Sequence, residues 1–261
     1  QTNASAYDAF LTKYGSDGTL LWTKQLGTGG SDYAQGVSTD SNNDVYITGY
    51  TNGNLDGQTS GGGYDAFVTK YGSDGTLLWT KQLGTSTSST ERAYGVSTDS
   101  NNDVYITGYT YGNLDGTSAG TSQDAFVTKY DSAGTLLWTK QLGTATTSSE
   151  EANNVSTDSN NNVYITGNTN GDLDGANGGW DAFVTKYNST GTLQWTKQLG
   201  TSSTDKAQGV STDSNNNVYI TGSTLGNLAG TYGGFDAFVT KYDGSDGTLL
   251  WTKQLGTATT S

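Results

Sequence analysis

A chain of 261 residues with a formal charge of −13, and with no Cys, His, Met or Pro, excludes several function classes at once. Disulfides, thiolate metal sites, Cys nucleophiles and every catalytic or metal motif built on His fall away. The balance of 25 acidic against 12 basic residues disfavours nucleic acid and anionic membrane as partners, and no apolar run reaches the roughly 18 residues needed to span a bilayer.

Gly, Asn, Ser and Thr dominate, which favours turns and short strands over helices. Apolar content is only 31%, but 17 Tyr, 6 Trp and 6 Phe bury a large area each, enough for a small layered core. Residues 1–7 form a polar lead-in. A first hairpin then runs through Ala9–Tyr14 and Thr19–Leu26 around the turn Gly15-Ser16-Asp17-Gly18. A second kind of hairpin follows: 36–40, the turn Ser41-Asn42-Asn43, then 44–49.

The first hairpin recurs from Asp65, Asp124, Asp181 and Asp236, and the second from Gly95, Asn154 and Gly209. The Asp-Ala-Phe spacings of 57, 59, 57 and 55 residues mark a four-stranded repeat, hence 18 predicted strands. Four strands make a twisted blade whose two faces must both be covered by neighbours. Ala-Phe-Val-Thr and Val-Tyr-Ile-Thr, apolar in both parities, suit such doubly covered strands. The expected fold is an all-β propeller in one domain over 1–261: a half-blade at 8–27 and four blades at 36–84, 95–143, 154–200 and 209–256, a five-bladed-like ring with one blade incomplete.

The run Gly-Val-Ser-Thr-Asp-Ser-Asn-Asn-Asp-Val-Tyr-Ile-Thr-Gly, then Asp-Ala-Phe-Val-Thr-Lys-Tyr, then Gly-Thr-Leu-Leu-Trp-Thr-Lys-Gln-Leu-Gly resembles the bacterial SBBP β-propeller repeat. The resemblance covers nearly the whole chain. It implies a secreted or cell-surface protein and a register in which the Asn-containing hairpin is innermost, strands a and b, with the Trp-containing hairpin as c and d. The chain then opens with a c–d pair that has no a–b partner. Three arrangements stay open: a segment of a longer repeat protein, completion of the half-blade by another chain, or closure of four blades with the first hairpin packed elsewhere. Unpaired edges invite pairing, so Ala9, Phe10, Leu11, Thr12, Lys13 and Tyr14 are the candidate self-association edge.

In that register the d–a and b–c loops share one end of the propeller and vary, while the a–b and c–d turns repeat. Binding residues tend to sit on such loops. The b–c loops carry Asp56, Asp115 and Asp174, and Tyr64, Trp180 and Phe235 precede Asp-Ala-Phe. Rings beside Asp and Asn suit a carbohydrate, with surface glycans as partner; packing explains the same residues through Leu55, Leu114, Leu173 and Leu228. Asp40-Ser41-Asn42-Asn43-Asp44 has the opening of a calcium loop but lacks its Gly and closing acid, so an Asx-type turn is the simpler reading and no cofactor is expected. Identical Asp residues at Asp8, Asp65, Asp124, Asp181 and Asp236 argue for one structural task done five times rather than catalysis. The sequence thus predicts a non-enzymatic scaffold for adhesion or self-assembly, with a lectin-like binder as the alternative.

Overall fold

The computed structural model describes residues 6–85, 89–116, 122–144, 147–175, 178–230 and 233–256; parts of five variable loops lie outside these. Strands β1 (Ala9–Tyr14) and β2 (Leu20–Leu26) pair alone. Blade 1 contains β3 (Asp32–Thr39), β4 (Val45–Thr51), β5 (Asp65–Tyr71) and β6 (Leu77–Leu83). Blade 2 contains β7 (Glu91–Thr98), β8 (Val104–Thr110), β9 (Asp124–Tyr130) and β10 (Leu136–Leu142). Blade 3 contains β11 (Glu150–Thr157), β12 (Val163–Thr169), β13 (Asp181–Tyr187) and β14 (Leu193–Leu199). Blade 4 contains β15 (Asp205–Thr212), β16 (Val218–Thr224), β17 (Asp236–Tyr242) and β18 (Leu249–Leu255). Every pairing is antiparallel between consecutive strands. The four blades and one half-blade expected from the repeats are therefore present.

Strand a begins earlier than the hydrophobic pattern suggested. It starts at Asp32 rather than Gly36, so Glu91, Arg92, Glu150 and Glu151 belong to strands and not to loops. A bulge between Ala34 and Gly36 breaks the alternation that would have revealed the first turn of the strand. Opposite the bulge Gly49 admits no side chain, because a Cβ there would overlap the Tyr33 carbonyl.

Each core lies between blades. The forward face of blade 1 supplies Tyr46, Ala66, Val68, Trp79 and Leu83, and the rear face of blade 2 supplies Ala93, Val104, Ile106, Phe126 and Tyr130. The same residue types meet between blades 2 and 3 and between blades 3 and 4. The half-blade offers a reduced forward face, Ala9, Leu11 and Leu26, to Ile47, Phe67 and Tyr71. Double coverage explains why every residue of β8, β9, β12 and β13 is buried.

Candidate functional site

The invariant polar residues hold the blades. Asp40 Oδ1 accepts the Asn42 and Asp44 amides, each at 2.9 Å, an Asx-type turn that sets Asn43 at φ +62°. Asp40 Oδ2 accepts the Tyr46 hydroxyl at 3.1 Å. Lys70 Nζ sits 3.3 Å from Asp40 and 3.1 Å from Asp44 and lies 5.0 Å from the Tyr46 ring centre, so an ammonium occupies the place between the two carboxylates. Burial pushes the Tyr46 hydroxyl up to about 12. Burial also opposes the charge on Lys70, but Tyr46, Asp44 and Asp40 outweigh it and raise its pKa. Blade 2 repeats the arrangement with Lys129, Asp99 and Asp103. In blade 3 Asn162 replaces the second carboxylate, and burial lowers the pKa of Lys186 despite Asp158 and Asp243.

The Asp of Asp-Ala-Phe also works within its blade. Gln82 Nε2 donates to Asp65 at 2.7 Å and to the Gly53 carbonyl at 2.9 Å, while Gln82 Oε1 accepts the Leu55 amide at 3.1 Å. The Gly61 amide also reaches Asp65, at 2.7 Å. This ties the b–c loop to strands c and d. The Gln–Asp bond recurs at Asp8, Asp124, Asp181 and Asp236.

A second set of acids went unrecognised in the sequence: Asp32, Glu91, Glu150 and Asp205, all buried at the start of strand a. Each accepts hydrogen bonds from a loop Thr (Thr28, Thr85, Thr144, Thr201) and a strand-b Thr (Thr51, Thr110, Thr169, Thr224). Asp serves where the acid stands four positions after the loop Thr, Glu where it stands six positions after. Side-chain reach offsets loop length, a signal visible in the sequence once each acid is aligned on its Leu-Gly-Thr.

The predicted loop-face residues are distributed, not gathered. Asp56, exposed at φ +47°, sits beside Tyr71. Asp115 accepts the Gln141 amide at 2.8 Å, and Asp174 pairs with Lys197 at 3.5 Å. The neighbouring Leu55, Leu114, Leu173 and Leu228 plug the inter-blade cores. Tyr64 alone joins a cluster: Tyr50 lies 5.3 Å from it and Tyr33 lies 4.9 Å from Tyr50, ring centre to ring centre. Arg92 of blade 2 reaches across, its Cζ 4.7 Å from Tyr50 and 5.0 Å from Tyr64. Farther along the same rim, Glu151 has its pKa raised by burial, against Lys206, the Tyr94 hydroxyl and Arg92. Lys206 in turn lies 5.7 Å from the Trp180 ring. Phe235 is 67% exposed.

The backbones of these pre-Asp residues link blades. Tyr7, Tyr64, Gln123 and Trp180 carbonyls accept the amides of Asp32, Glu91, Glu150 and Asp205 at 2.6–2.9 Å. Among the described residues the Phe235 carbonyl makes no such bond.

The outer strands interlock too. Trp22, Trp79 and Trp138 donate Nε1 to the Ser73, Ser132 and Ser189 carbonyls of the next blade at 3.2–3.3 Å. Lys13, Lys70 and Lys129 donate to the same carbonyls. These three rings and Trp195 each rest on a turn glycine: a Cβ on Gly75, Gly134, Gly191 or Gly247 would lie 2.9–3.0 Å from its ring. Lys13 of strand c lies 5.9 Å from the Trp22 ring centre, and the end of the Lys24 side chain flanks the same Gly75.

Two faces stay uncovered among the described residues. On the rear of the half-blade Phe10 is 71% and Tyr14 61% exposed, although their blade-1 counterparts Phe67 and Tyr71 are buried. Of the predicted edge, Ala9 and Leu11 face blade 1, Lys13 binds the Ser73 carbonyl and Thr12 meets Thr23. β1 pairs with β2 alone, so its other edge is free among the described residues. On the forward face of blade 4 Ala237 and Leu255 are exposed and Tyr219 and Val239 partly so.

The family described as SBBP: Beta-propeller repeat matches residues 21–56, 78–115, 137–174 and 194–229. Regulatory protein FlaEY of Caulobacter vibrioides is 26% identical over 246 residues, covering 80% of this chain and 25% of that protein. Uncharacterized WD repeat-containing protein L264 of Acanthamoeba polyphaga mimivirus is 25% identical over 237 residues, covering 71% of this chain and 17% of that protein. The chain thus spans a quarter or less of the length of these relatives. A crystal structure of a protein of unknown function from Dyadobacter fermentans superposes with a TM-score of 0.52 at 12% identity, over 92% of this chain and 68% of that one.

Proposed function

The chain belongs to the SBBP β-propeller repeat family, and on that premise we propose that it serves as a non-enzymatic scaffold, secreted or at the cell surface, that adheres or self-assembles through its open ends. One observation carries this reading: the residue types buried at every internal junction stand exposed on the two terminal faces. Exposed apolar sheet faces and free edges favour association. The recurrent acids support a structural role, since Asp40, Asp65, Glu91 and their repeats are all hydrogen-bonded within their blades. No cofactor is needed on this reading, because Lys70 and Lys129 supply the charge between the paired carboxylates.

Light scattering tests it. A mass that climbs above 27.3 kDa with concentration supports the scaffold; a monomer throughout contradicts self-assembly. The lectin-like reading has its own support in the Tyr33, Tyr50 and Tyr64 rings beside Arg92, with surface glycans as ligand. Glycan-array binding by a monomer selects that reading, and assembly without glycan binding selects the scaffold.

A further inference from the structure

We infer that a second copy of this chain seats its half-blade on the forward face of blade 4, with Trp251 of the first copy over Gly18 of the second. This deepens the scaffold reading and rests on it. It differs from completion of the free β1 edge, because the contact is face to face.

The four internal junctions supply the template. In each, a strand-d Trp lies on the positive-φ glycine of the next c–d turn, at Gly75, Gly134, Gly191 and Gly247. In the first three, the Trp indole and a strand-c Lys share one Ser carbonyl of that turn. The rear-face Phe and Tyr of the following blade are buried by the contact.

The two open ends carry the two halves of that junction. Blade 4 presents Trp251, 38% exposed, with Leu255 at 68%. Its strand-c Lys241 has no turn carbonyl to bind and pairs with Asp213 at 3.4 Å. The half-blade presents Gly18, at φ +80° like the other four, with nothing within 4 Å of the position a Cβ would take. Among the described residues the Ser16 carbonyl, equivalent to Ser73, receives no donor. Phe10 and Tyr14 complete the seat. Because the faces are different and complementary, the association is heterologous, head to tail. It engages only strands c and d. The inner rear face of blade 1, where Val37 is 62% exposed, gains no cover from a half-blade.

Two variants and their mixture test this by sedimentation velocity. Gly18→Asn keeps a residue that tolerates positive φ but fills the seat, and Trp251→Ala removes the ring. Circular dichroism checks that both fold. Wild type should associate with rising concentration, and each variant alone should weaken association by roughly thirtyfold or more, the loss expected of a buried aromatic anchor. An equimolar mixture restores one good junction and should stop at two chains, about twice 27.3 kDa. Variants that associate as wild type does would overturn the seat while leaving self-assembly through the β1 edge standing. A wild type that stays monomeric overturns both and leaves the faces to repeats outside these 261 residues.

Discussion

The same substitution made in two blades should give very different losses, since the repeats differ in burial and partner number. Lys129 is 5% exposed, with Asp99 at 3.3 Å and Asp103 at 2.9 Å, and the Asp99 side chain is fully buried. Its Nζ lies 5.0 Å from the Tyr105 ring. Lys129→Met keeps the stem's packing but strands a buried carboxylate without its cation. Breaking a buried pair from one side costs about 3–5 kcal/mol, dominated by the charge left behind. The Asn101 and Asp103 amides and the Tyr105 hydroxyl still reach Asp99, which argues for the lower end. Lys241 meets one carboxylate, Asp213, at 3.4 Å, with side chains 19% and 26% exposed. Solvent screens that pair, so Lys241→Met should cost a small fraction as much. Urea unfolding followed by circular dichroism measures both. Equal losses, or a neutral Lys129→Met, would refute the claim that flanking blades make these ion pairs strong.

Three further outcomes follow from the same geometry. The c–d turn of blade 4 closes from Gly247 to Asp243, one residue longer than the Gly75-to-Gly72 turn, and Trp195 Nε1 has no hydrogen-bond partner; deleting Gly244 should restore a carbonyl for it and raise stability by about 1 kcal/mol in urea unfolding. Glu91→Asp, mild by composition, should cost about 1–3 kcal/mol because the shorter acid cannot span the six-residue loop to Thr85, whereas Asp32 already fits its shorter loop; a thermal melt that matches wild type would sink this reading. Burial raises the pKa of Glu150 and Glu151 above 4.5. Their folded forms hold protons more tightly, so this contribution is full below 4.5 and lost as pH rises through the raised values. Asp213, Asp131 and Asp243 have lowered values, so their contribution is lost only as pH falls below 3.8. The thermal midpoint should therefore rise on acidification toward 4.5 and fall below 3.8, and Glu150→Gln with Glu151→Gln should flatten the first limb.

Repeat period and turn chemistry made the architecture legible. A hairpin recurring at near-constant spacing with both strand parities apolar leaves few folds open, and Asp40-Ser41-Asn42-Asn43 announced its Asx turn. What stayed hidden had physical causes. The bulge beside Gly36 broke strand a's alternation, so Asp32, Glu91, Glu150 and Asp205 read as loop residues. The rim contacts of Arg92, Glu151 and Lys206 join different blades, and no local pattern encodes a neighbour 26 to 59 residues away. Asp56, Asp115 and Asp174 looked like one recurrent site, yet backbone geometry at Asp56 and different partners at the others separate them. The Trp residues read as packing; their hydrogen bonds to the next turn, and the glycines beneath them, needed the junction geometry.

If the half-blade and blade 4 carry the two halves of one junction, the six tryptophans report on it directly. With 5-fluorotryptophan incorporated and each line assigned by Trp→Phe substitution, ¹⁹F NMR follows every ring separately across a concentration series. The Trp251 line alone should move as chains associate, toward the positions of Trp22, Trp79 and Trp138, and Gly18→Asn should abolish the movement. A Trp251 line that stays fixed while the solution mass rises would contradict it.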